Sequence, residues 1–510
     1  MDNLKRKEIF ILLLCLLIGF ALRYYTFDKK SLWMDEIYTL NDSRYGFKDQ
    51  LAFYKENPTF LHPPLFFILT HAFYPFGKPE QELRIIPLIF GILSIPIFFF
   101  LARQFSSRIA IPCALSLAFM TYHISLSQDA RSYTFLMFLG MVSLFFFMKH
   151  LHTQDRAYLF LIAISSAILF YTSYSSILFI IFSQMLWFYR TSRNQKPFPS
   201  VLILNGLILL FCLPWIIFLM SYYKGQPFTD LRNIPEPISL LNVLYGIIHD
   251  WLPLTPLIVI SIVLLILFVF FTINRRNAIV LLSIIIAPVV GLHLYCRLFN
   301  ITHFVTSRYF ICFLPLFFII LFLSLDSIEA KANKLKNLKI FFLILILASN
   351  LVILPLYYRA EKQDYRGLVT YLKTQLRNGD KVIVGNVPYI GVMLHYFGIL
   401  PTERHYIIPA RIVSKGEIEH IIDIVYQNIR FSIIYSKSHW FEYLKDGSRL
   451  WIVADKENAK MIIDRMPCTL KGYFDGSFMN MVRFPSDVSL YLFLWDPSSP
   501  DEKGIEMPID

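Results

Sequence analysis

Residues 9–27 read IFILLLCLLIGFALRYYTF, an almost unbroken apolar run that closes with an arginine and two tyrosines. A helix needs about 17 to 25 such residues to cross the hydrocarbon layer of a membrane. This run has that length, and it follows a basic segment at residues 5–7. Because no small-residue cleavage site precedes Arg23, the run is predicted to be a retained membrane anchor.

The composition of the whole chain supports the same class. Of its 510 residues, 56% are hydrophobic and 17% are aromatic, which is far more apolar than a soluble globular protein. The sequence therefore predicts a polytopic membrane protein. The net charge of +12 does not indicate nucleic-acid binding, because the Lys and Arg residues lie in short clusters between apolar runs. Such clusters are typical of cytoplasmic loops.

Further apolar runs of spanning length follow along the chain. They lie near residues 82–103, 109–127, 131–150, 201–220, 252–273, 278–296, 307–325 and 338–357. The region 157–190 is long enough for two spans, broken near residues 171–174. The sequence thus predicts about eleven transmembrane helices. Residues 63–77 are apolar but short, which is typical of an interfacial helix.

The basic clusters predict the orientation in the membrane. They lie at residues 5–7, 103–108, 149–156, 190–196, 275–276 and 331–339. If residues 63–77 do not cross, all six clusters fall on one side, which is then the cytoplasm. If they did cross, five clusters would face outward. The predicted outer segments are the loop 28–81, the turns near 128–133 and 297–308, the loop 221–250 and everything after about residue 358.

The last part of the chain, from about residue 359, has a different character. Strand-length apolar runs at 381–385, 431–435, 450–454 and 490–494 alternate with helix-like stretches at 365–378, 389–398, 417–429 and 457–466. This alternation predicts a soluble, extracytoplasmic α/β domain at 359–510, after a transmembrane domain at 1–358. The first strand is followed by no Gly-x-Gly-x-x-Gly, so a dinucleotide site is unsupported. Cys468 is the one cysteine of this region, and no Cys/His spacing indicates zinc.

Two adjacent carboxylates, Asp35 and Glu36, lie shortly after the first apolar run, within the stretch SLWMDEIYTL at residues 31–40. An ionised side chain near hydrocarbon is costly unless it is paired, solvated or bound to a cation, so this position predicts a functional site. The alternative is a solvated loop.

Other polar residues fall on the same predicted side. They are His62, Asp129, Arg131, Tyr133, Arg308 and Tyr309. Each has a simpler interpretation: the arginines could reach lipid headgroups, the tyrosines could belong to an interfacial aromatic belt, and the histidine could cap a helix. Their convergence on one side favours a common site.

Carboxylates and arginines at an outer membrane surface suit one kind of reaction. A carboxylate can remove the proton of an acceptor hydroxyl or amine. An arginine can stabilise a phosphate leaving group through charge-assisted hydrogen bonds. Glycosyl transfer from a lipid-linked sugar phosphate needs both, and no nucleotide sugar is present outside the cell.

Five short motifs, in their order along the chain, resemble a known family. They are Trp33-Met34-Asp35-Glu36, His62-Pro63-Pro64-Leu65, Leu83-Arg84, Gln128-Asp129-Ala130-Arg131-Ser132-Tyr133 and Ser307-Arg308-Tyr309. This order resembles the integral membrane glycosyltransferases of the GT-C superfamily, family 39 type, which include protein O-mannosyltransferases, lipid A aminoarabinose transferases and many bacterial members. The resemblance covers about residues 10 to 400, since Asp364-Tyr365-Arg366 also looks like bacterial members.

The resemblance implies inverting transfer of a sugar from a polyprenyl-phosphate donor to a lipid, glycan or protein acceptor, in the cell (inner) membrane. It implies that Asp35 is the catalytic base and Glu36 its companion. It also places Arg131, Arg308 and Tyr309 on the donor-phosphate side. Asp129 matches an acidic position of bacterial relatives, with His62 and Tyr133 as supporting residues. The outer loop lacks the longer pattern of protein mannosyltransferases, and their lumenal repeats are absent between the spans, which argues against a eukaryotic-type member.

Two other functions and a metal site are alternatives or additions to this interpretation. A flippase for lipid-linked glycans or a small-solute transporter usually carries ionisable groups in the middle of its spans, and often inverted repeats, which this sequence lacks. A membrane-anchored receptor would leave the carboxylates and arginines unexplained. Asp35, Glu36, Asp129 and His62 are suitable ligands for a divalent cation such as Mg²⁺. No spacing singles out a metal, so the sequence is compatible with this cofactor and does not require it.

Overall fold

The computed structural model describes most of the chain in two compact units. The described residues are 5–56, 61–189, 198–223, 239–272, 274–299, 306–332, 335–385, 387–399, 410–412, 418–436, 440–445, 447–476, 488–499 and 504–505. The helical unit comprises Met1–Phe27 and Ser43–Tyr357, and the C-terminal unit comprises Asp28–Asp42 and Tyr358–Asp510.

The helical unit is built from helices, most of which are apolar. In chain order they are α1 (Arg6–Tyr24), α3 (Phe47–Glu56), α4 (Leu65–His71), α5 (Pro79–Glu82), α6 (Ile85–Phe105), α7 (Ala110–Phe119), α8 (Thr121–Ser127), α9 (Tyr133–Thr153), α10 (Ala157–Thr172), α11 (Ser176–Ser183), α12 (Phe198–Tyr222), α13 (Leu240–Trp251), α14 (Thr255–Phe271), α15 (Arg275–Leu298), α16 (Leu314–Lys331) and α17 (Leu338–Arg359). Short 3₁₀ helices lie at Ser107–Ile109, Gln184–Phe188 and Ser307–Phe313. Helix α16 is deeply packed, since every residue from Leu314 to Phe322 is buried.

Six helical segments among the described residues are long and apolar enough to cross a membrane. They are Pro79–Phe105, Tyr133–Thr153, Phe198–Tyr222, Arg275–Leu298, Ser307–Lys331 and Leu338–Arg359. Two helix pairs, α7 with α8 and α13 with α14, qualify together but are bent by 59° and 110°, so the total is six to eight. The predicted number of eleven spans is therefore not confirmed. The predicted class is confirmed: a helical membrane protein with a C-terminal α/β domain.

The helix boundaries agree with the predictions from the sequence in two places. The predicted break within 157–190 lies between the end of α10 at Thr172 and the start of α11 at Ser176. Residues 63–77 contain one helix, α4, of 7 residues. At about 1.5 Å per residue it is too short to cross a bilayer. Its position at the interface stays a prediction. The basic loop 190–196, half of the loop 221–250 (residues 224–238) and residues 300–305 lie outside the described residues.

The break between α7 and α8 was not predicted, because residues 109–127 read as one apolar run. A broken helix leaves backbone N–H and C=O groups without their usual partners, and in lipid these must be satisfied internally. Arg23, which is fully buried, donates to the carbonyls of Leu117 (2.8 Å) and Ala118 (3.0 Å). On the other side of the break, Asn350 Oδ1 accepts from the Thr121 N–H (2.7 Å). These partners come from α1 and α17, far away in the sequence.

In its described residues, the C-terminal unit contains a seven-stranded sheet and five helices. The strands are β1 (Lys381–Val384), β2 (Ala410–Ile412), β3 (Ile418–Tyr426), β4 (Ile429–Tyr435), β5 (Leu450–Ala454), β6 (Thr469–Phe474) and β7 (Leu490–Trp495), in the order β2-β3-β4-β1-β5-β7-β6. β1 pairs in parallel with β4 and β5, and the remaining pairs are antiparallel. The helices are α2 (Met34–Asp42), α18 (Tyr365–Gln375), α19 (Val387–Phe397), α20 (Trp440–Lys445) and α21 (Lys456–Arg465).

The predicted strands at 381–385, 431–435, 450–454 and 490–494 are confirmed as β1, β4, β5 and β7. The helix predicted at 417–429 is wrong, because this segment forms β3. Its residues are rich in Ile and Val, which favour strands, and it pairs with β4 in the register Ile421↔Ile434. Gln427 and Asn428 have φ values of 48° and 67°, as a tight two-residue hairpin turn requires.

The division into units differs from the predicted domains in one respect. Residues 28–42, expected to belong to the transmembrane domain with the rest of the loop 28–81, pack within the C-terminal unit. Helix α2 contacts α19 there. The functional roles of the two domains stay predictions.

Candidate active site

The adjacent carboxylates lie in the first turn of α2. The Trp33 carbonyl accepts the N–H groups of Glu36 (2.9 Å) and Ile37 (3.1 Å). In return, the Trp33 N–H donates to Glu36 Oε2 at 3.3 Å. A glutamate at the third helical position that reaches back to the preceding residue forms half of a capping box. Glu36 therefore stabilises the turn that carries Asp35.

The two carboxylates have different surroundings. Glu36 is fully buried, and its Oε1 lies 3.4 Å from Nζ of the buried Lys362. Asp35 is partly exposed. Successive residues on a helix point about 100° apart, so neighbours can differ in this way. A buried charge must be paired to be tolerated. Of the two, Asp35 is the carboxylate that a substrate can reach.

In the helical unit the structure brings Arg308 and Tyr133 together. The guanidinium carbon of Arg308 lies 5.6 Å from the centre of the Tyr133 ring, a cation–π arrangement. Tyr133 begins α9, and Arg308 is the second residue of the 3₁₀ helix Ser307–Phe313. Tyr309, the next residue, packs against the hydrophobic core of this unit. Both Arg308 and Tyr133 keep part of their surface exposed.

Three buried polar residues beside Arg308 were not recognised as a group from the sequence. The Ser307 hydroxyl donates to Asp250 Oδ2 (2.5 Å), and the Tyr122 hydroxyl lies 2.8 Å from Ser307 Oγ. Asp250 also interacts electrostatically with Arg308. This arrangement fixes the backbone immediately before Arg308. The signal that could have revealed Asp250 is an acidic residue bordering an apolar run.

The turn with Asp129 and Arg131 is held by Gln128. The side-chain amide of Gln128 donates to the Arg23 carbonyl (2.9 Å), and its oxygen accepts from the Tyr357 hydroxyl (2.7 Å). Within the turn, the Arg131 N–H donates to the Asp129 carbonyl (2.6 Å). Asp129 is buried, whereas Arg131 is partly exposed. Of these two side chains, that of Arg131 is therefore the one that a ligand can contact.

His62 lies close enough to Arg131 to interact with it electrostatically. Its imidazole keeps exposed surface, yet the protein around it disfavours the charged form, and the Arg131 charge adds to this effect. Together they lower the pKa of His62 to about 4. The preceding residue is anchored, because the Tyr174 hydroxyl donates to the Leu61 carbonyl (2.7 Å). At neutral pH His62 is therefore a neutral hydrogen-bonding group.

The predicted site residues thus fall into two groups. The C-terminal unit holds Asp35 and Glu36. The helical unit holds His62, Asp129, Arg131, Tyr133, Arg308 and Tyr309. Among the described residues, no group of three or more His, Cys, Asp or Glu side chains is arranged to hold a metal ion. A divalent cation stays a hypothesis from the sequence.

A comparison with family models supports the resemblance seen in the motifs. Residues 61–218 match the family described as dolichyl-phosphate-mannose-protein mannosyltransferase. This segment contains His62, Asp129, Arg131 and Tyr133. The predicted resemblance to family 39-type proteins is therefore confirmed. The motifs and this match make the chain similar to membrane glycosyltransferases of this type, and the matched segment covers about a third of its length.

Solved structures give a second comparison. ArnT from Cupriavidus metallidurans in the apo state is 12% identical, with a TM-score of 0.48 and coverage of 98% of this chain and 99% of ArnT. ArnT bound to undecaprenyl phosphate has a TM-score of 0.47 at the same identity and coverage. The Archaeoglobus fulgidus oligosaccharyltransferase tethered with an acceptor peptide is 12% identical, with a TM-score of 0.47 and coverage of 91% of this chain and 70% of that protein. No curated protein matches the chain significantly.

Proposed function

We propose that this protein is an inverting glycosyltransferase that moves a sugar from a polyprenyl-phosphate donor to an acceptor at the outer face of the cell membrane. The observation that carries the proposal is the match of residues 61–218 to the dolichyl-phosphate-mannose-protein mannosyltransferase family. That segment includes the turn with Asp129 and Arg131, and it includes His62.

The proposed reaction is a single displacement at the anomeric carbon. An acceptor hydroxyl or amine attacks this carbon from the face opposite the phosphate, while Asp35 takes its proton. The bond between the anomeric carbon and the phosphate oxygen breaks, and polyprenyl phosphate leaves with the bonding electrons. Since the nucleophile and the leaving group occupy opposite faces, the configuration is inverted.

The donor phosphate is assigned to Arg131 and Arg308. Both side chains are partly exposed, and arginine recognises phosphate oxygens through paired charge-assisted hydrogen bonds. The Asp250–Ser307–Tyr122 contacts hold the backbone that leads into Arg308. Cations that are held in place before the reaction stabilise the negative charge that develops on the leaving phosphate.

The proton acceptor is assigned to Asp35 and not to Glu36. Asp35 is partly exposed, whereas Glu36 is fully buried and paired with Lys362. A general base must come within hydrogen-bond reach of the proton it removes. Glu36 therefore serves Asp35 by shaping the first turn of α2.

The direct test is a transfer assay with purified protein in lipid vesicles. Radiolabelled polyprenyl-phosphate sugars of several kinds are offered together with a cell-envelope extract as acceptor. We expect label to appear in the acceptor fraction with release of an equal amount of polyprenyl phosphate. The matched control is the double variant Asp35→Asn/Arg308→Ala. Movement of the labelled lipid across the bilayer without release of polyprenyl phosphate would instead favour a flippase.

The orientation is proposed from the positive residues of the loops, with the N-terminus cytoplasmic and the C-terminal unit outside. On a background without the six native cysteines, Lys460→Cys and Thr153→Cys place thiols at exposed positions on α21 and at the end of α9. An impermeant thiol reagent is expected to label the first in intact cells and the second only after lysis. The reverse pattern would exclude this orientation.

A further inference from the structure

Side chains and backbone of the C-terminal unit hold the segment that leads into α2. The Ser31 hydroxyl donates to the carbonyl of Gln363, and the Ser31 N–H donates to Glu361 Oε2 at 3.3 Å. The Leu32 N–H donates to the hydroxyl oxygen of Tyr396 at 2.6 Å. The start of α2 is therefore attached to residues more than 300 positions later in the sequence.

Lys362 makes a further contact, at the first turn of α2. Its Nζ lies 3.4 Å from Glu36 Oε1 and 6.0 Å from the centre of the Trp33 ring. Trp33 lies two positions before Asp35 in the sequence, and Glu36 lies one position after it. The Lys362 side chain is 7% exposed and that of Glu36 is 0% exposed, so water scarcely competes for this pair. An ion pair in such surroundings is screened much less than one at the surface.

We infer that Lys362 is a positioning residue for Asp35, which acts through the buried pair with Glu36. This inference rests on the proposed function, in which Asp35 is the base. Glu36 uses one carboxylate oxygen for Lys362 and the other for the Trp33 N–H, so the lysine, the glutamate and the helix start form one connected unit. Lys362 itself has no contact with the reacting atoms in this mechanism.

The C-terminal unit has a role in positioning the base. Lys362 lies between Glu361 and Gln363, both of which bind Ser31, and just before α18, which packs against the sheet. The fold of the α/β unit thereby sets the place of the helix that carries the base. A displacement of about 1 Å at a reacting group can cost on the order of 10²-fold in rate. The α/β unit thus has a direct influence on turnover.

A double-mutant cycle between Lys362 and Asp35 tests the inference. Lys362→Met is expected to lower kcat about 10-fold or more, because the base is no longer held in place. The KM for the polyprenyl-phosphate sugar should stay within about 2-fold, since the donor arginines are untouched. In an Asp35→Asn background the same substitution should cost less than about 2-fold, because two residues that act through one step are not additive.

Further variants separate positioning from folding. Lys362→Arg keeps the charge and should retain most of the turnover, and Lys460→Met at an exposed site on α21 should match the unchanged protein. If Lys362→Met is poorly folded, Glu36→Gln/Lys362→Met removes both buried charges at once, and it should fold yet still show the reduced kcat. Size-exclusion profiles in detergent report the folding.

Two results would overturn the inference. One is an equal loss from Lys362→Met in the presence and absence of the Asp35 carboxylate. The other is unchanged kcat in Glu36→Gln/Lys362→Met. Failure of the proposed function looks different, because Asp35→Asn alone would then transfer sugar at the normal rate, or no donor would be used at all.

Discussion

Asp35→Asn is expected to lower sugar transfer by about 10²-fold or more, the usual scale on which a general acid or base contributes. The amide keeps the size of the carboxylate and most of its hydrogen bonding, but it cannot accept the proton of the acceptor. Folding should be preserved, because the buried pair of Glu36 with Lys362 is left intact. The measurement is the initial rate of label transfer from a polyprenyl-phosphate sugar, with expression levels matched.

The control for this substitution is Asp42→Asn, at the C-terminal end of the same helix. It makes the same chemical change outside the first turn, and the rate should be unchanged. Near-normal transfer by Asp35→Asn would remove Asp35 from the role of base. Poor membrane insertion of that variant, with Asp42→Asn inserted normally, would point to a structural role instead.

Arg308→Ala is expected to weaken use of the donor rather than to remove the base. A hydrogen bond to a charged group contributes about 1.5–3 kcal/mol, so losing one from the phosphate should raise the donor KM roughly 10- to 100-fold. Arg308→Lys keeps the positive charge but loses the planar fork, and it should give an intermediate value. Donor KM and inhibition by free polyprenyl phosphate are the quantities to measure.

Arg297→Ala provides the matched control for Arg308→Ala. Arg297 is an exposed arginine in the last turn of α15, on the same predicted side of the membrane. Its removal tests for a general effect of surface charge on binding of the anionic donor. Arg308→Ala also removes the cation–π contact with Tyr133, which contributes about 0.5–1 kcal/mol, and the positive charge near the buried Asp250, so size-exclusion profiles in detergent check the folding of this variant. An unchanged donor KM, or an equal rise in Arg297→Ala, would exclude Arg308 from the phosphate site.

Much of the fold could be predicted because the information is local. A long apolar run becomes a helix in lipid whatever it packs against, since the backbone groups can be satisfied only within the segment. Strand β5 was also predictable from local sequence, because Leu450–Ala454 form a short apolar run, and all five residues are buried. The prediction failed at β3, where residues rich in Ile and Val pair with β4 and form a strand in place of the predicted helix. It also failed at the break before Thr121, which depends on Arg23 and Asn350.

For the candidate site, too, some features could be predicted from local sequence and others depend on long-range contacts. The amino-acid sequence alone predicts the membrane class, the α/β character of the C-terminal part and the residue types at the site, because composition, hydrophobic periodicity and motif order are carried by neighbouring residues. Only the tertiary structure distinguished Glu36, paired with Lys362 at a separation of 326 residues, from its neighbour Asp35, and only it placed Asp250 beside Ser307. Burial and charge pairing depend on contacts between side chains that are far apart in the sequence, and only the packing of the folded chain brings these side chains together.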